Sequence, residues 1–122
     1  MITKKLHTSM YFGIRIRNTT TNQYYDLDTL TDLAFLIVLP SGRKLIARKD
    51  FDAARDNAPL HRYSPDFYYC KFSASDTASE TETGIGSYEI GTIAPDADIE
   101  KFISISDPIS VRFTLSNLSA VI

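Results

Sequence analysis

Chemistry in this chain would have to come from few side chains. Nucleophilic catalysis needs a base within reach of a Ser, Thr or Cys, and the sequence offers one cysteine, Cys70, and two histidines, His7 and His61. His7 falls in an N-terminal segment expected to be loose, and His61 stands between Leu60 and Arg62. Cys70 lies in the apolar run Phe67-Tyr-Tyr-Cys-Lys-Phe72, where a free thiol is expected to be a small core residue. A lone cysteine allows no internal disulfide and no thiolate cluster for zinc. A pairing of Cys70 with His61 is left open by the sequence, but a small hydrolase using Cys70 or the acidic residues has no base placed for it, so the chain is expected not to be an enzyme.

Two acidic stretches have spacings that invite a cation. Asp26-Leu-Asp28-Thr-Leu-Thr-Asp32 opens like a calcium loop, with oxygen ligands at alternate positions. The pattern then breaks: Leu30 takes the third ligand position, Thr31 stands where the sharp turn needs glycine, and Ile37 replaces the bidentate glutamate. Acids in a turn leading into a strand are expected instead. Asp96, Asp98 and Glu100 would share one face of a strand, but Pro95 suits the first turn of a helix, where carboxylates complement the macrodipole. Gly84-Ile-Gly86-Ser-Tyr-Glu-Ile-Gly91 lacks the spacing of a dinucleotide loop, and no strand-helix-strand pattern surrounds it. No metal and no cofactor is expected.

Contact chemistry is better represented. Tyr24, Tyr25, Tyr63, Tyr68 and Tyr69 stand in or beside loops and strand ends. A ring with a polar tip serves contacts to proteins or sugars there, or fills the rim of a core that has no tryptophan. The C-terminus, Leu118-Ser-Ala-Val-Ile122, stays apolar to its last residue, so Leu118, Val121 and Ile122 are expected to dock on this domain or on a neighbour.

The elements that must position these groups are strands. Phe12, Ile14 and Ile16 alternate with Gly13, Arg15 and Arg17, and Ile109, Val111, Phe113 and Leu115 alternate with Ser110, Arg112, Thr114 and Ser116. Leu33 to Leu39 is apolar on both faces, as in a central strand, and Pro40-Ser41-Gly42 turns it into a return strand, Arg43 to Arg48. Phe67 to Phe72 and Ser87 to Ile93 complete the set, with a bulge or bend expected at Gly91. Short helical turns are predicted at Asp50 to Asp56, capped by Asp50, and at Pro95 to Phe102. Ser73 to Thr83 has no periodicity and almost no apolar content, which predicts a long solvated loop, the most mobile part of the chain. Six or seven strands in one domain spanning residues 1 to 122 fit a mostly β, antiparallel β-sandwich, immunoglobulin-like or jelly-roll-like, with at most one or two short helices. The cysteine pair and tryptophan of antibody domains are missing.

Composition bounds the partners. With 43% hydrophobic and 23% charged residues the chain is an ordinary globular one, and a net charge of −2 supplies no footprint for phosphate backbones or anionic lipid. The longest apolar run is too short to cross a bilayer, and the N-terminus lacks the apolar stretch of a secretory signal. No nucleic-acid and no membrane partner is expected.

Ile14-Arg-Ile-Arg-Asn-Thr, then Tyr25-Asp-Leu, then Leu33-Ala-Phe-Leu-Ile-Val-Leu-Pro-Ser-Gly-Arg43, with Gly86-Ser-Tyr-Glu-Ile90 later, resembles the N-terminal β domains of tailed-phage baseplate proteins of the upper-baseplate type. The chain departs from that pattern in having no following coiled-coil or receptor-binding region. The resemblance implies a non-enzymatic structural or assembly protein of a virion, in the tail, baseplate or head surface. It would be made in the host cytoplasm and would pack against other virion structural proteins or copies of itself, as a homo-oligomer or part of a larger assembly. The alternative expectation is a free-standing carbohydrate- or peptide-binding β-sandwich module, for which Tyr24 and Tyr25 are candidate contacts.

Overall fold

The computed structural model describes residues 1–115, so the expected docking residues Leu118, Val121 and Ile122 lie outside the described residues. In chain order the strands are β1 (Ile2–Lys5), β2 (Met10–Ile14), β3 (Arg17–Asn18), β4 (Gln23–Tyr24), β5 (Leu33–Val38), β6 (Lys44–Arg48), β7 (Ala58–Pro59), β8 (His61–Ser64), β9 (Phe67–Phe72), β10 (Gly84–Thr92), β11 (Ile103–Ser104) and β12 (Ile109–Thr114). Three short 3₁₀ turns lie between them, at Leu27–Thr29, Ala74–Thr77 and Ile99–Lys101.

The larger sheet runs β1-β12-β10-β5-β6-β7, with β11 extending the β10 edge, and the smaller runs β2-β9-β8. Pairing is antiparallel except at two rims, where β1 joins β12 and β6 joins β7 in parallel. Read in chain order, β2, β5, β6, β7, β8, β9, β10 and β12 follow the B, C, C′, C″, D, E, F, G order of an immunoglobulin variable-type sandwich.

Alternation explains the layering. Met10, Phe12 and Ile14 of β2 and Tyr68, Cys70 and Phe72 of β9 face Leu33, Phe35, Ile37, Ile90, Val111 and Phe113 of the larger sheet across one buried core. Each fully buried Phe, Leu or Ile contributes about 1.5–3 kcal/mol. Where antibody domains tie the sheets with a disulfide against a tryptophan, rings meet instead. Phe12 lies 5.1 Å from Phe35 and 6.1 Å from Tyr88, and Phe35 lies 5.3 Å from Tyr88, centroid to centroid. Gly86 keeps this layer compact, because a Cβ there would stand 2.7 Å from the Phe113 ring and 2.2 Å from the Val38 carbonyl oxygen.

The apolar outer face of β5 has its own cover. Ala34, Leu36, Ile46 and Ile93 form a second cluster, under Ala97, Ile99 and Phe102 from the connection between β10 and β12. Buried Arg48 holds that cover down, donating from Nη1 to the Ala94 and Ala97 carbonyls at 3.3 and 3.2 Å. Its Nε and Oδ1 of buried Asp56, otherwise without partners among the described residues, lie 3.2 Å apart.

Several expectations are corrected. The N-terminal segment is not loose: Ile2–Lys5 pair in register with Val111–Thr114, and Leu6 is fully buried. Gly91 marks no bulge, since β10 and β5 pair without a shift from Ser87↔Val38 to Thr92↔Leu33. Glycine is needed there because a Cβ would come 2.2 Å from the Ile103 carbonyl oxygen. The Ser73 to Thr83 segment is pinned rather than fully solvated. Thr77 and Glu80 are buried: Thr77 Oγ1 accepts from the His7 amide at 2.8 Å, and Ser41 Oγ donates to the Glu80 carboxylate. The first predicted helix is a single turn capped by Asp52, not Asp50, with the Ala54 amide donating to Asp52 Oδ1 at 3.0 Å. The second shrinks to Ile99–Lys101, where Asp98 is the cap and Pro95 precedes the turn.

Candidate functional site

The alternation that sends Met10, Phe12, Ile14, Tyr68, Cys70 and Phe72 inward sends Tyr11 and Gly13 of β2, with Arg15 just beyond its end, and Phe67, Tyr69 and Lys71 of β9, to the opposite face. The antiparallel register places Tyr11 beside Lys71, and Gly13 beside Tyr69. On the other flank β8 brings His61 next to Tyr69, the rings 5.2 Å apart and tilted by 34°. Tyr63 stands edge-on to Phe67 at 5.7 Å. Phe67 reaches across Gly13, where a Cβ would lie 2.7 Å from its Cζ, so the missing side chain makes room for the ring. Tyr63, Tyr11 and Tyr69 remain 75%, 58% and 39% exposed. The outer face of the smaller sheet is thus a field of rings edged by cations, and its outward positions on β2 and β9 carry no Asp or Glu.

At one end the chain leaves β2 and returns as the β3-β4 hairpin, whose turn is held by Asn18 Oδ1 accepting the Thr20 amide at 2.9 Å. Asn22 takes the left-handed conformation this needs, at φ 58°. Pairing of Arg17 with Tyr24 then brings the Tyr24 ring up against two guanidinium groups. Arg15 Cζ lies 4.6 Å and Arg17 Cζ 5.3 Å from the ring centroid, and Arg15 also lies 5.1 Å from the Phe67 ring. Arg17 Nη2 donates to the Tyr24 hydroxyl at 3.4 Å, and that hydrogen bond, with the charge behind it, lowers the Tyr24 pKa from its ordinary value. Among the described residues no carboxylate lies within ion-pair distance of Arg15, Arg17 or Lys71. A hollow of about 340 Å³ opens beside the stack, walled by Arg15, Arg17, Ile16, Tyr88, Ile105 and Ile109, with Asp107 as its one carboxylate.

The acidic stretches do something else. Asp26 caps the Leu27–Thr29 turn, accepting the Asp28 amide at 3.0 Å. Asp28 accepts from Arg62 Nε at 3.0 and 3.1 Å and from the Tyr68 hydroxyl at 2.6 Å. The Arg62 hydrogen bonds, then that of Tyr68, hold the Asp28 carboxyl below its usual range. Burial, reinforced by the hydrogen bond to Asp28, pushes the Tyr68 phenol up to about 12. The carbonyls of Leu27, Asp28 and Leu30 converge at 3.1, 3.2 and 3.2 Å on the Lys49 ammonium. A side-chain cation therefore occupies the place where the sequence hinted at calcium. Asp96, Asp98 and Glu100 are not gathered, and no group of three or more His, Cys, Asp or Glu side chains suited to a metal occurs among the described residues.

Cys70 points into the core, where burial pushes its thiol up to about 12, while His61 stacks on the opposite face of the sheet. The Cys70–His61 pairing left open by the sequence is therefore not formed. His7 serves the fold: its Nε2 lies 2.6 Å from the Glu80 carbonyl, which can only accept.

No family model matches the chain, and no curated protein matches it. A solved structure of the ZIG-8–RIG-5 IG1–IG1 heterodimer is similar over 94% of this chain and 80% of that one, at 11% identity and a TM-score of 0.39. No helix among the described residues is long and apolar enough to cross a membrane.

Of the expected contact residues, Tyr24 joins the arginine stack, Tyr25 stays exposed beside it, Tyr63 and Tyr69 lie on the ring-bearing face, and Tyr68 belongs to the core. Tyr11, Arg15, Arg17, Phe67 and Lys71 were not singled out by sequence, and His61 was weighed only as a base for Cys70. The available signal was that the water-facing positions of β2 and β9 carry rings and cations where small polar residues would suffice.

Proposed function

We propose that this protein is a non-enzymatic recognition module that binds an extended carbohydrate chain on the outer face of β2, β9 and β8. The observation that carries this reading is the field of rings, exposed Tyr11, Tyr63 and Tyr69 with half-buried Phe67 among them, set on paired strands rather than on loops. Sheet-borne rings are held in place before a ligand arrives, which lowers the ordering cost of binding. Their flat faces match the C–H faces of pyranose rings, and tyrosine hydroxyls at the rim remain free for polar contacts. The face itself offers rings, whereas a main-chain ladder for a peptide would have to form at the sheet's edges, β2 and β8.

The test is calorimetric titration with a panel of soluble oligosaccharides. A hit should weaken roughly tenfold to a hundredfold in the double variant Tyr63→Ala/Tyr69→Ala, the loss of two stacking contacts. Unchanged affinity in that variant would sink the assignment of the face.

A second reading, a virion structural component packed against other virion proteins or its own copies, is favoured by exposed Ile103, Ile105 and Ile109 along β11 and the start of β12. Light scattering over a concentration series tests it. Self-association lost on Ile103→Ser/Ile105→Ser would support it, and a monomer at every concentration would remove self-assembly from consideration.

A further inference from the structure

Resting on the carbohydrate reading above, we infer that the Arg15–Tyr24–Arg17 stack and the hollow beside it make the module selective for acidic sugars, those bearing a carboxylate on the ring. Two guanidinium groups lie 4.6 and 5.3 Å from the centroid of one tyrosine ring, and Arg15 also lies 5.1 Å from that of Phe67. Arg17 gives one N–H to the Tyr24 hydroxyl at 3.4 Å, and among the described residues no carboxylate comes within ion-pair distance of either guanidinium. A guanidinium so placed presents a fork of donors that fits a carboxylate through two parallel hydrogen bonds. The hollow, about 340 Å³, has room for a single sugar ring and is walled by both arginines together with apolar Ile16, Ile105 and Ile109. Asp107 faces the same space and disfavours a ligand with many charges.

Charge decides among acidic ligands. A polyphosphate chain binds through many neutralised phosphates, and this chain, at −2 overall, has only a local cluster to offer. One carboxylate per sugar needs only the local pair. Phe67 connects the two parts of the site, because it touches Arg15 on one side and Tyr63 on the other. A saccharide lying along the ring field would therefore bring its end residue to the arginines.

Matched pairs of ligands separate this inference from the reading it rests on. Short oligogalacturonate and its methyl-esterified form, and sialylated and desialylated oligosaccharides, are titrated into the wild-type protein, with polyglutamate and oligo-dT as other polyanions. At least one acidic member should bind about tenfold or more tighter than its neutral partner, and the preference should shrink as salt rises. Arg15→Gln/Arg17→Gln should erase the preference, bringing the acidic member's affinity down to that of its neutral partner, with the melting temperature within about two degrees of wild type. Tyr63→Ala/Tyr69→Ala should weaken both members of the pair. Equal binding of acidic and neutral members overturns the selectivity but leaves the carbohydrate reading standing. Binding of polyglutamate or oligo-dT alone, or no binding by any saccharide pair, overturns both.

Discussion

Tyr24 and Tyr68 are each met by two cationic side chains, yet their surroundings differ in one group, a carboxylate. Around Tyr68, Asp28 takes the Arg62 guanidinium and the phenol together, and Lys49 sits 5.0 Å from the ring with its ammonium spent on backbone carbonyls. Every charge there has a partner within the fold. Around Tyr24 the arginines hold the ring and nothing anionic holds the arginines. The phenols report the same contrast, Tyr68 raised to about 12 and Tyr24 lowered. A cluster that closes on itself stabilises the chain, whereas one left open in charge costs little to keep exposed and is available to a ligand.

Breaking the closed cluster should have the largest effect. Lys49→Met leaves the part-buried Leu30 carbonyl without its donor and takes one of two donors from the Leu27 carbonyl, and should destabilise by about 1–3 kcal/mol. The melting temperature would fall by on the order of ten degrees, and an unchanged melt would show that water serves those carbonyls equally well. Next comes Tyr68→Phe, which removes one hydrogen bond and should cost about 1 kcal/mol at neutral pH.

That variant also sharpens the pH behaviour. The folded phenol keeps its proton up to about 12 and the unfolded one only to about 10.0, so between those values the folded state binds more protons. Stability is therefore intact below pH 10 and falls as pH rises toward 12. Denaturant melts across this window should show the fall reduced in Tyr68→Phe, and equal falls in both proteins would contradict the assignment.

The open cluster should respond least. Arg15→Gln and Arg17→Gln should leave the melting temperature within about two degrees of wild type. A drop like that of Lys49→Met would erase the distinction between the two clusters. The finest readout is the tyrosinate absorbance of Tyr24. Its titration should move upward in Arg17→Gln, toward the ordinary 10.0, because the group that favours the charged phenolate has gone.

What the sequence could show follows from the range of the forces involved. Leu33 to Leu39 was legible as a central strand because seven apolar residues in a row, closed by a Pro-Ser-Gly turn, suit a strand covered on both sides, and the structure buries both faces. The inward halves of β2 and β12 were legible by alternation, whereas β9 was legible only as an aromatic-rich run, in which inward Tyr68 passed for a contact residue. β1 was not, because Ile2-Thr-Lys-Lys5 has one apolar residue and gains its order from a partner more than a hundred positions away. Nor was the pinning of Thr77, which depends on an amide donated by His7, 70 residues upstream. The site was half visible. Tyr24, Tyr63 and Tyr69 drew attention as rings, but Arg15 and Arg17 passed as the polar face of a strand. Only the β3-β4 hairpin, a local turn with a non-obvious register, brings Tyr24 back to them.

Buried Cys70 also makes the molecule its own clock. Its side chain is wholly enclosed beneath β2 and its thiol is held in the unreactive protonated form, so a thiol-specific reagent can modify it only while the two sheets are apart. The labelling rate of the untouched native chain, compared with that of a free thiol, measures how often the sandwich opens. Ligands of the outer face, which never approach this sulfur, should slow the labelling in proportion to their occupancy by holding the sheets closed.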